Sequence, residues 1–199
     1  VFANDAAPAS IPYPLMTVAS HAGVELRRVP FSEALRRVVH VERLAHASSA
    51  HGRALEAARR GAAVLLIRNA VDEAIGSFEA LRAEHVDTHL FHARFAMCDR
   101  QAIEREALAR FGRDAESADR AGRILVATQV AEQSLDLDFD LVVTDLAPID
   151  LLIQRAGRLW RHMDLRPENS RPVPGPMLRV ISPDAREATH EKWLEPALG

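Results

Sequence analysis

Apolar residues in this chain gather in short runs separated by longer amphipathic stretches. Ala62–Ile67, Thr88–His92, Arg123–Ala127, Leu141–Asp145 and Met177–Ile181 are compact, mostly apolar segments bounded by polar residues, and each predicts a buried strand. Val38–Val41 adds a short β-branched run. Between them lie helical patterns: Ala47–Arg60, starting near Ser48 or Ser49 and stopping at Gly61; Val71 to about Glu84; and Asp99–Phe111, with an aspartate at its start and Gly112 just past its end. A short helix is expected near Val130, a longer one from Ile149, and a terminal one over Ala185–Leu194. Strand and helix alternate without hairpin signals, which predicts an α/β fold: a parallel sheet with helices on both faces. In such sheets function collects beyond the carboxyl ends of the strands, here at His92 and Arg94, Thr128 and Gln129, and Asp145 and Pro148. Residues 1–35, with Pro12, Pro14 and Pro30, read as an extended connector, and residues 36–195 as the folded domain. Residues 166–176 hold four prolines and read as a loop.

The helix from Ile149 has the most telling pattern. At about 100° per residue, Ile149, Leu152, Ile153, Ala156, Leu159 and Trp160 share one arc, while Gln154, Arg158 and Arg161 share the opposite one. The expectation is a helix that packs one face and presents an amide and two guanidiniums on the other. Forked, permanently charged donors suit phosphate oxygens, above all a transferring γ-phosphate. A solvated face of ordinary surface arginines has the same spacing.

Composition narrows the setting. The chain has 199 residues, 48% hydrophobic and 27% charged, with a net charge of −3. That suits one full-sized globular domain, so a polyanion site must be a local basic patch. No apolar run is long enough to span a bilayer, no signal-peptide pattern opens the chain, and a single cysteine, Cys98, fits a reducing cytoplasm. The basic residues are 24 arginines and one lysine, Lys192 in Glu-Lys-Trp, so no phosphate-binding loop of the Gly-Lys-Ser/Thr kind exists in the chain. A start at Val1 instead of methionine suits a piece of a longer polypeptide.

Three further segments bear on chemistry. In residues 124–136 a strand runs through Thr128 into a short helix; the hydroxyl and free helix-start amides suit a phosphate, and Asp136 suits a ribose hydroxyl. In Phe91-His92-Ala93-Arg94-Phe95 a histidine and an arginine sit at another strand tip, and together with Thr128 they suit a nucleic-acid backbone. His85, Asp87, His89 and His92 have a metal-like spacing, but His89 and His92 fall on opposite faces of a strand, so no metal site is expected. Asp72 and Glu73 lie in the first turn of a helix, where acids favour the dipole, and are not expected to be catalytic.

Taken together these segments resemble the second RecA-like motor domain of superfamily 2 helicases, whose Gln-Arg-x-Gly-Arg-x-x-Arg box is matched by residues 154–161. The wording of 124–140 (ILVATQVAEQSLDLDFD), of 144–162 (TDLAPIDLLIQRAGRLWRH) and of FHARF followed by Asp99-Arg100 is similar to the CRISPR-associated helicase–nucleases of type I interference systems, over about residues 11–195. The resemblance implies that Arg158 and Arg161 are arginine fingers on ATP, with Gln154 beside them. It implies that Gln133 and Asp136 touch the nucleotide, and that Thr128, Gln129 and Arg94, with His92, lie along single-stranded DNA. It implies that the Walker lysine, the carboxylates that hold Mg, the first RecA-like motor domain and the nuclease domain lie upstream, and that a guide-RNA surveillance complex is a partner. The 199 residues alone are then expected to be inactive towards ATP. Ser134 stands where many of these helicases have glycine, and Trp160 where the family often has histidine.

Two other readings compete. An ATP-independent nucleic-acid-binding or protein-interaction module has no use for γ-phosphate ligands such as Arg158 and Arg161. A self-contained enzyme needs a nucleophile, base and metal constellation that the sequence does not display.

Overall fold

The computed structural model describes residues 15–21, 23–29, 37–132 and 135–184. The helix expected over Ala185–Leu194, together with Gln133 and Ser134, lies outside the described residues. The chain divides into two compact units, residues 1–36 and 37–199.

In the first unit β1 (Leu15–Ser20) pairs antiparallel with β2 (Gly23–Arg28), with Leu15 opposite Arg28 and Ser20 opposite Gly23. A hairpin therefore replaces extended connector over these residues. Pro14 and Pro30 flank the segment instead of interrupting it, so every residue from 15 to 29 keeps its backbone donor. Gly23, at φ 129°, supplies the left-handed turn position.

The second unit is built in chain order from β3 (His40–Leu44), α1 (Ala47–Arg59), β4 (Val64–Ile67), α2 (Val71–Ala83), β5 (Thr88–Phe91), α3 (Met97–Phe111), α4 (Ser117–Arg120), β6 (Ile124–Ala127), β7 (Leu141–Asp145), α5 (Ile149–Ala156) and β8 (Met177–Ile181). The sheet runs β3-β8-β7-β4-β6-β5 and every pairing in it is parallel. Helices cover both faces because the strands are apolar on both. Leu65, Ile67, Leu125, Ala127 and Val142 point into one core with Phe111 and Leu159. Val64, Leu66, Ile124, Val126, Leu141 and Val143 point into the other with Ala50, Ala54 and Leu81. The end of α1 shows how local chemistry sets a boundary. Gly61, at φ 92°, lets its N–H reach Ala58 O at 2.8 Å and lets Ala62 N reach Ala57 O at 3.0 Å, a Schellman closure.

The expected long helix from Ile149 is the principal departure. α5 is 8 residues long and ends at Ala156. Beyond Gly157 the chain turns back and bonds to a distant segment: Phe139 N donates to Arg158 O at 2.9 Å, and Trp160 N donates to Phe139 O at 3.0 Å. These bonds replace helical ones, and Trp160 adopts φ 50°. The two arcs dissolve accordingly. Ile149 and Ile153 are 72% and 65% exposed, whereas Arg155 is fully buried and Arg158 is 7% exposed. Among the described residues no helix is long and apolar enough to cross a membrane.

Candidate functional site

Strand register lines up one polar row. Phe91, Ala127, Ile67 and Thr144 are neighbours across β5, β6, β4 and β7, so the residues that follow them, His92, Thr128, Arg68 and Asp145, emerge side by side at the carboxyl edge. His92 is 6% exposed, stacks on Phe95 with ring centroids 4.1 Å apart, and accepts from Arg94 N through Nδ1 at 3.2 Å. Its burial, reinforced by the Arg94 charge, lowers its pKa. Thr128 is 2% exposed, and the Gln129 amide donates to Asn69 O at 3.1 Å. Arg94 is largely exposed and meets Asp72 at 2.6 Å, while Glu73 pairs with Arg68 at 3.3 Å. Asp72 and Glu73 are thus partners of arginines as well as first-turn acids. Arg68 is also gripped by Asp145, at 2.9 and 3.0 Å, and reaches Ser77 Oγ at 2.7 Å.

The residues after α5 separate into different roles. Arg158 is not on an exposed face. It turns inward and donates to the carbonyls of Leu135 and Glu132, the latter at 2.6 Å. Its Nε is buried with no hydrogen-bond partner among the described residues. Arg161 stays 43% exposed by side chain, and its Nε donates to Asp136 Oδ1 at 2.5 Å. His162 Nε2 meets the same oxygen at 3.0 Å. Burial opposes ionisation of Asp136, but the hydrogen bonds from His162 and Arg161 prevail and hold its carboxyl below the ordinary aspartate value. Gln154 is exposed on α5, and Gln133 lies outside the described residues. Asp136 and Arg161 are therefore brought into contact, Arg158 closes the loop that leads to Asp136, and Arg94, Thr128 and Gln129 line the carboxyl edge.

Two networks escaped the sequence reading. Fully buried Arg155 donates to Glu132 Oε1 at 2.7 Å, Thr144 Oγ1 at 2.5 Å, Asp145 O at 3.1 Å and Asn69 Oδ1 at 3.4 Å. On the other edge, Asp138 and Asp140 are 0% and 1% exposed and share Arg166 and Arg171 at 2.9–3.2 Å, with the Arg171 guanidinium 5.0 Å from the centre of the Trp160 ring. The alternation Leu135-Asp136-Leu137-Asp138-Phe139-Asp140 carries the signal for this second network. Its apolar members enter the core, so its acids must find bases. A cavity of about 440 Å³ also opens beside this network at the amino ends of β3, β7 and β8, lined by His40, Arg60, Asp140, Leu141 and Met177.

The residues present suit half of a triphosphate site. Arg161 offers a partly open guanidinium beside an ionised Asp136, whereas the chain contains no Gly-Lys-Ser/Thr loop. Residues 60–164, more than half of the chain, match the family described as CRISPR-associated nuclease/helicase Cas3, C-terminal. The chain belongs to the Cas3 nuclease/helicase family. It is 49% identical over 113 residues to the CRISPR-associated endonuclease/helicase Cas3 of Escherichia coli (strain K12), covering 55% of this chain and 12% of that protein. The crystal structure of T. fusca Cas3-ATP superposes with a TM-score of 0.78 at 30% identity, over 94% of this chain and 23% of that one. A chain in the structure of a CRISPR RNA-guided surveillance complex, pre-nicking, matches with a TM-score of 0.75 at 30% identity, over 96% of this chain and 26% of that one. The parallel sheet is thus the RecA-like sheet of a Cas3 helicase C-terminal domain, and the chain spans about an eighth of the E. coli relative.

Proposed function

We propose that this chain is the second motor domain of an ATP-dependent DNA helicase or translocase of CRISPR interference, with Arg161 as its contact to the γ-phosphate of ATP. The observation that carries this reading is the Arg161–Asp136 pair: a half-exposed guanidinium held at 2.5 Å by a carboxylate, at the last position of the Gln-Arg-x-Gly-Arg-x-x-Arg segment. The solved T. fusca relative named with ATP supports the choice of nucleotide. Bound ATP with Mg supplies the phosphoryl group and its charge neutralisation. With ATP bound, Arg161 would be the group to stabilise charge developing on the phosphoryl oxygens and Asp136 the group to accept from a nucleotide hydroxyl, while Gln154 is exposed on α5. Arg158, in the conformation described, acts from behind by fixing the carbonyls of Glu132 and Leu135 ahead of Asp136.

Gln129 and Arg94 belong, in this reading, to a single-stranded DNA track along the carboxyl edge, with Thr128 and His92, both buried, as its floor. The partners are the first RecA-like motor domain and the nuclease domain of a longer polypeptide, single-stranded DNA, and a guide-RNA surveillance complex, the last supported by the matched chain of such a complex. Because the Walker lysine and metal carboxylates come from the first motor domain, the 199 residues alone do not turn over ATP.

The test is ATP turnover and nucleotide affinity of the complete polypeptide carrying Arg161→Ala. Binding is retained and turnover drops by about 10³–10⁵, the range for an arginine finger. Turnover within a few-fold of the parent protein would reduce Arg161 to a surface arginine and end the reading.

A further inference from the structure

The buried guanidinium of Arg155 takes up an arrangement that a helix anchor alone does not need. Its partners lie at the carboxyl ends of three different strands: Asn69 after β4, Thr144 and Asp145 as the last residues of β7, and Glu132 in the turn after β6. Two of these partners are themselves tied to residues of the proposed site. The backbone carbonyl of Asn69 accepts from the Gln129 amide at 3.1 Å, and the backbone carbonyl of Glu132 accepts from Arg158 at 2.6 Å. A continuous hydrogen-bonded path therefore runs Gln129–Asn69–Arg155–Glu132–Arg158.

We propose that Arg155 is a positioning residue that couples single-stranded DNA at the Gln129 loop to ATP turnover at the Arg158–Arg161 segment, through Asn69 on one side and Glu132 on the other. This rests on the function proposed above. The physical ground is the rigidity of the fork. A planar guanidinium, itself fully buried, cannot satisfy Glu132 and Asn69 at once if either loop shifts, and an unpaired carboxylate with a side chain 5% exposed is costly. DNA that pulls the Gln129 amide off the Asn69 carbonyl moves Asn69, and Arg155 passes the choice of geometry to Glu132 and thence to the carbonyl that holds Arg158. Shortening the fork to lysine keeps the charge and loses simultaneous contact with both sides. Asn69→Ala removes one side, together with the Asn69 Nδ2 bond to Leu146 O at 2.8 Å, and leaves Arg155, Glu132 and Thr144 in place.

The experiment measures ATP turnover of the complete polypeptide with and without saturating single-stranded DNA, for the parent, Arg155→Lys, Asn69→Ala and Arg161→Ala, with thermal unfolding of each. The ratio of DNA-stimulated to basal turnover is expected to fall about 2- to 30-fold in Arg155→Lys and Asn69→Ala, the range by which residues between coupled sites modulate them. Basal turnover and melting of Asn69→Ala are expected to stay near those of the parent. A ratio within twofold of the parent in Asn69→Ala, or a loss of basal turnover in equal proportion, overturns the relay even where Arg155→Lys fails to fold. Arg161→Ala separates the two claims: if it retains turnover the proposed function fails, whereas if it loses turnover and the ratio of Asn69→Ala is unchanged, the relay alone fails.

Discussion

Arg161 and Asp136 form a direct ion pair across 25 residues of sequence, Nε to Oδ1 at 2.5 Å, and His162 closes on the same carboxylate oxygen at 3.0 Å. Asp136 is thereby shared between a guanidinium open to solvent and an imidazole that is buried. The pair sits at the junction of the two segments that matched helicase wording most closely, 124–140 and 144–162.

Its pH dependence has a defined sign. The carboxyl of Asp136 is held below its ordinary value in the folded protein, so the unfolded chain takes up the proton first as pH falls. The stabilisation is complete above the ordinary aspartate value of about 3.9 and is lost as pH falls through the lowered folded value. Acid titration followed by tryptophan fluorescence is expected to show a shallower decline in stability for Asp136→Asn than for the parent. Identical acid limbs would show that the pair contributes nothing in solution.

Arg158 and Arg161 are expected to part company in stability. Arg158→Ala strips the donor from two loop carbonyls, one of them at 2.6 Å, in a residue 7% exposed. The cost is about 1–3 kcal/mol for buried groups left unpaired. Arg161→Ala, at a half-exposed position, changes stability by no more than about 0.5 kcal/mol. Urea unfolding of the two variants checks this; equal midpoints would contradict the burial of Arg158.

The Asp138–Asp140–Arg166–Arg171 cluster is expected to be less forgiving than any surface pair. Its side chains are at most 10% exposed, and Asp138 also accepts from Arg161 N at 2.8 Å. Asp138→Ala leaves three guanidiniums, those of Arg120, Arg166 and Arg171, short of their counter-charge and is expected to destabilise by about 3–5 kcal/mol, the range for breaking a buried pair. By contrast, Arg59→Ala, which removes the exposed Arg59–Glu84 pair at 2.9 Å, is expected to cost about 0–1 kcal/mol. Comparable losses in the two variants would rule out a structural role for the cluster.

Binding of single-stranded DNA provides a further check on the carboxyl edge. If Arg94 contacts a phosphate, Arg94→Ala weakens binding and makes the slope of log affinity against log salt shallower by about 0.7, one contact on a single strand. Asp72→Asn frees Arg94 from a 2.6 Å partner and is expected to strengthen binding. Fluorescence anisotropy at several salt concentrations reads both; an unchanged slope in Arg94→Ala places the track elsewhere.

The sequence by itself determined the strand–helix alternation of residues 37–181, because that depends on local periodicity. Runs such as Val64–Ile67 and Leu141–Asp145 are apolar on both faces and can satisfy themselves only inside a covered parallel sheet. It also fixed the end of α1 at Gly61, whose left-handed backbone closes the helix through neighbours a few residues away. Tertiary structure alone decided the end of α5 and the fate of its arginines. A helical wheel assumes the helix continues, but Phe139 bonds the backbone of Arg158 and Trp160 from about 20 residues away, so the chain beyond Gly157 leaves the helix and Arg158 turns inward. The same holds for Arg155 and for the Asp138–Asp140 cluster. Their partners, Glu132, Thr144 and Asn69 in one case and Arg166 and Arg171 in the other, are far apart in sequence and meet only when strand register brings loop ends together. Arginines destined for solvent and arginines destined for burial look alike in the chain. They are told apart by the carboxylates and carbonyls that the fold brings within reach.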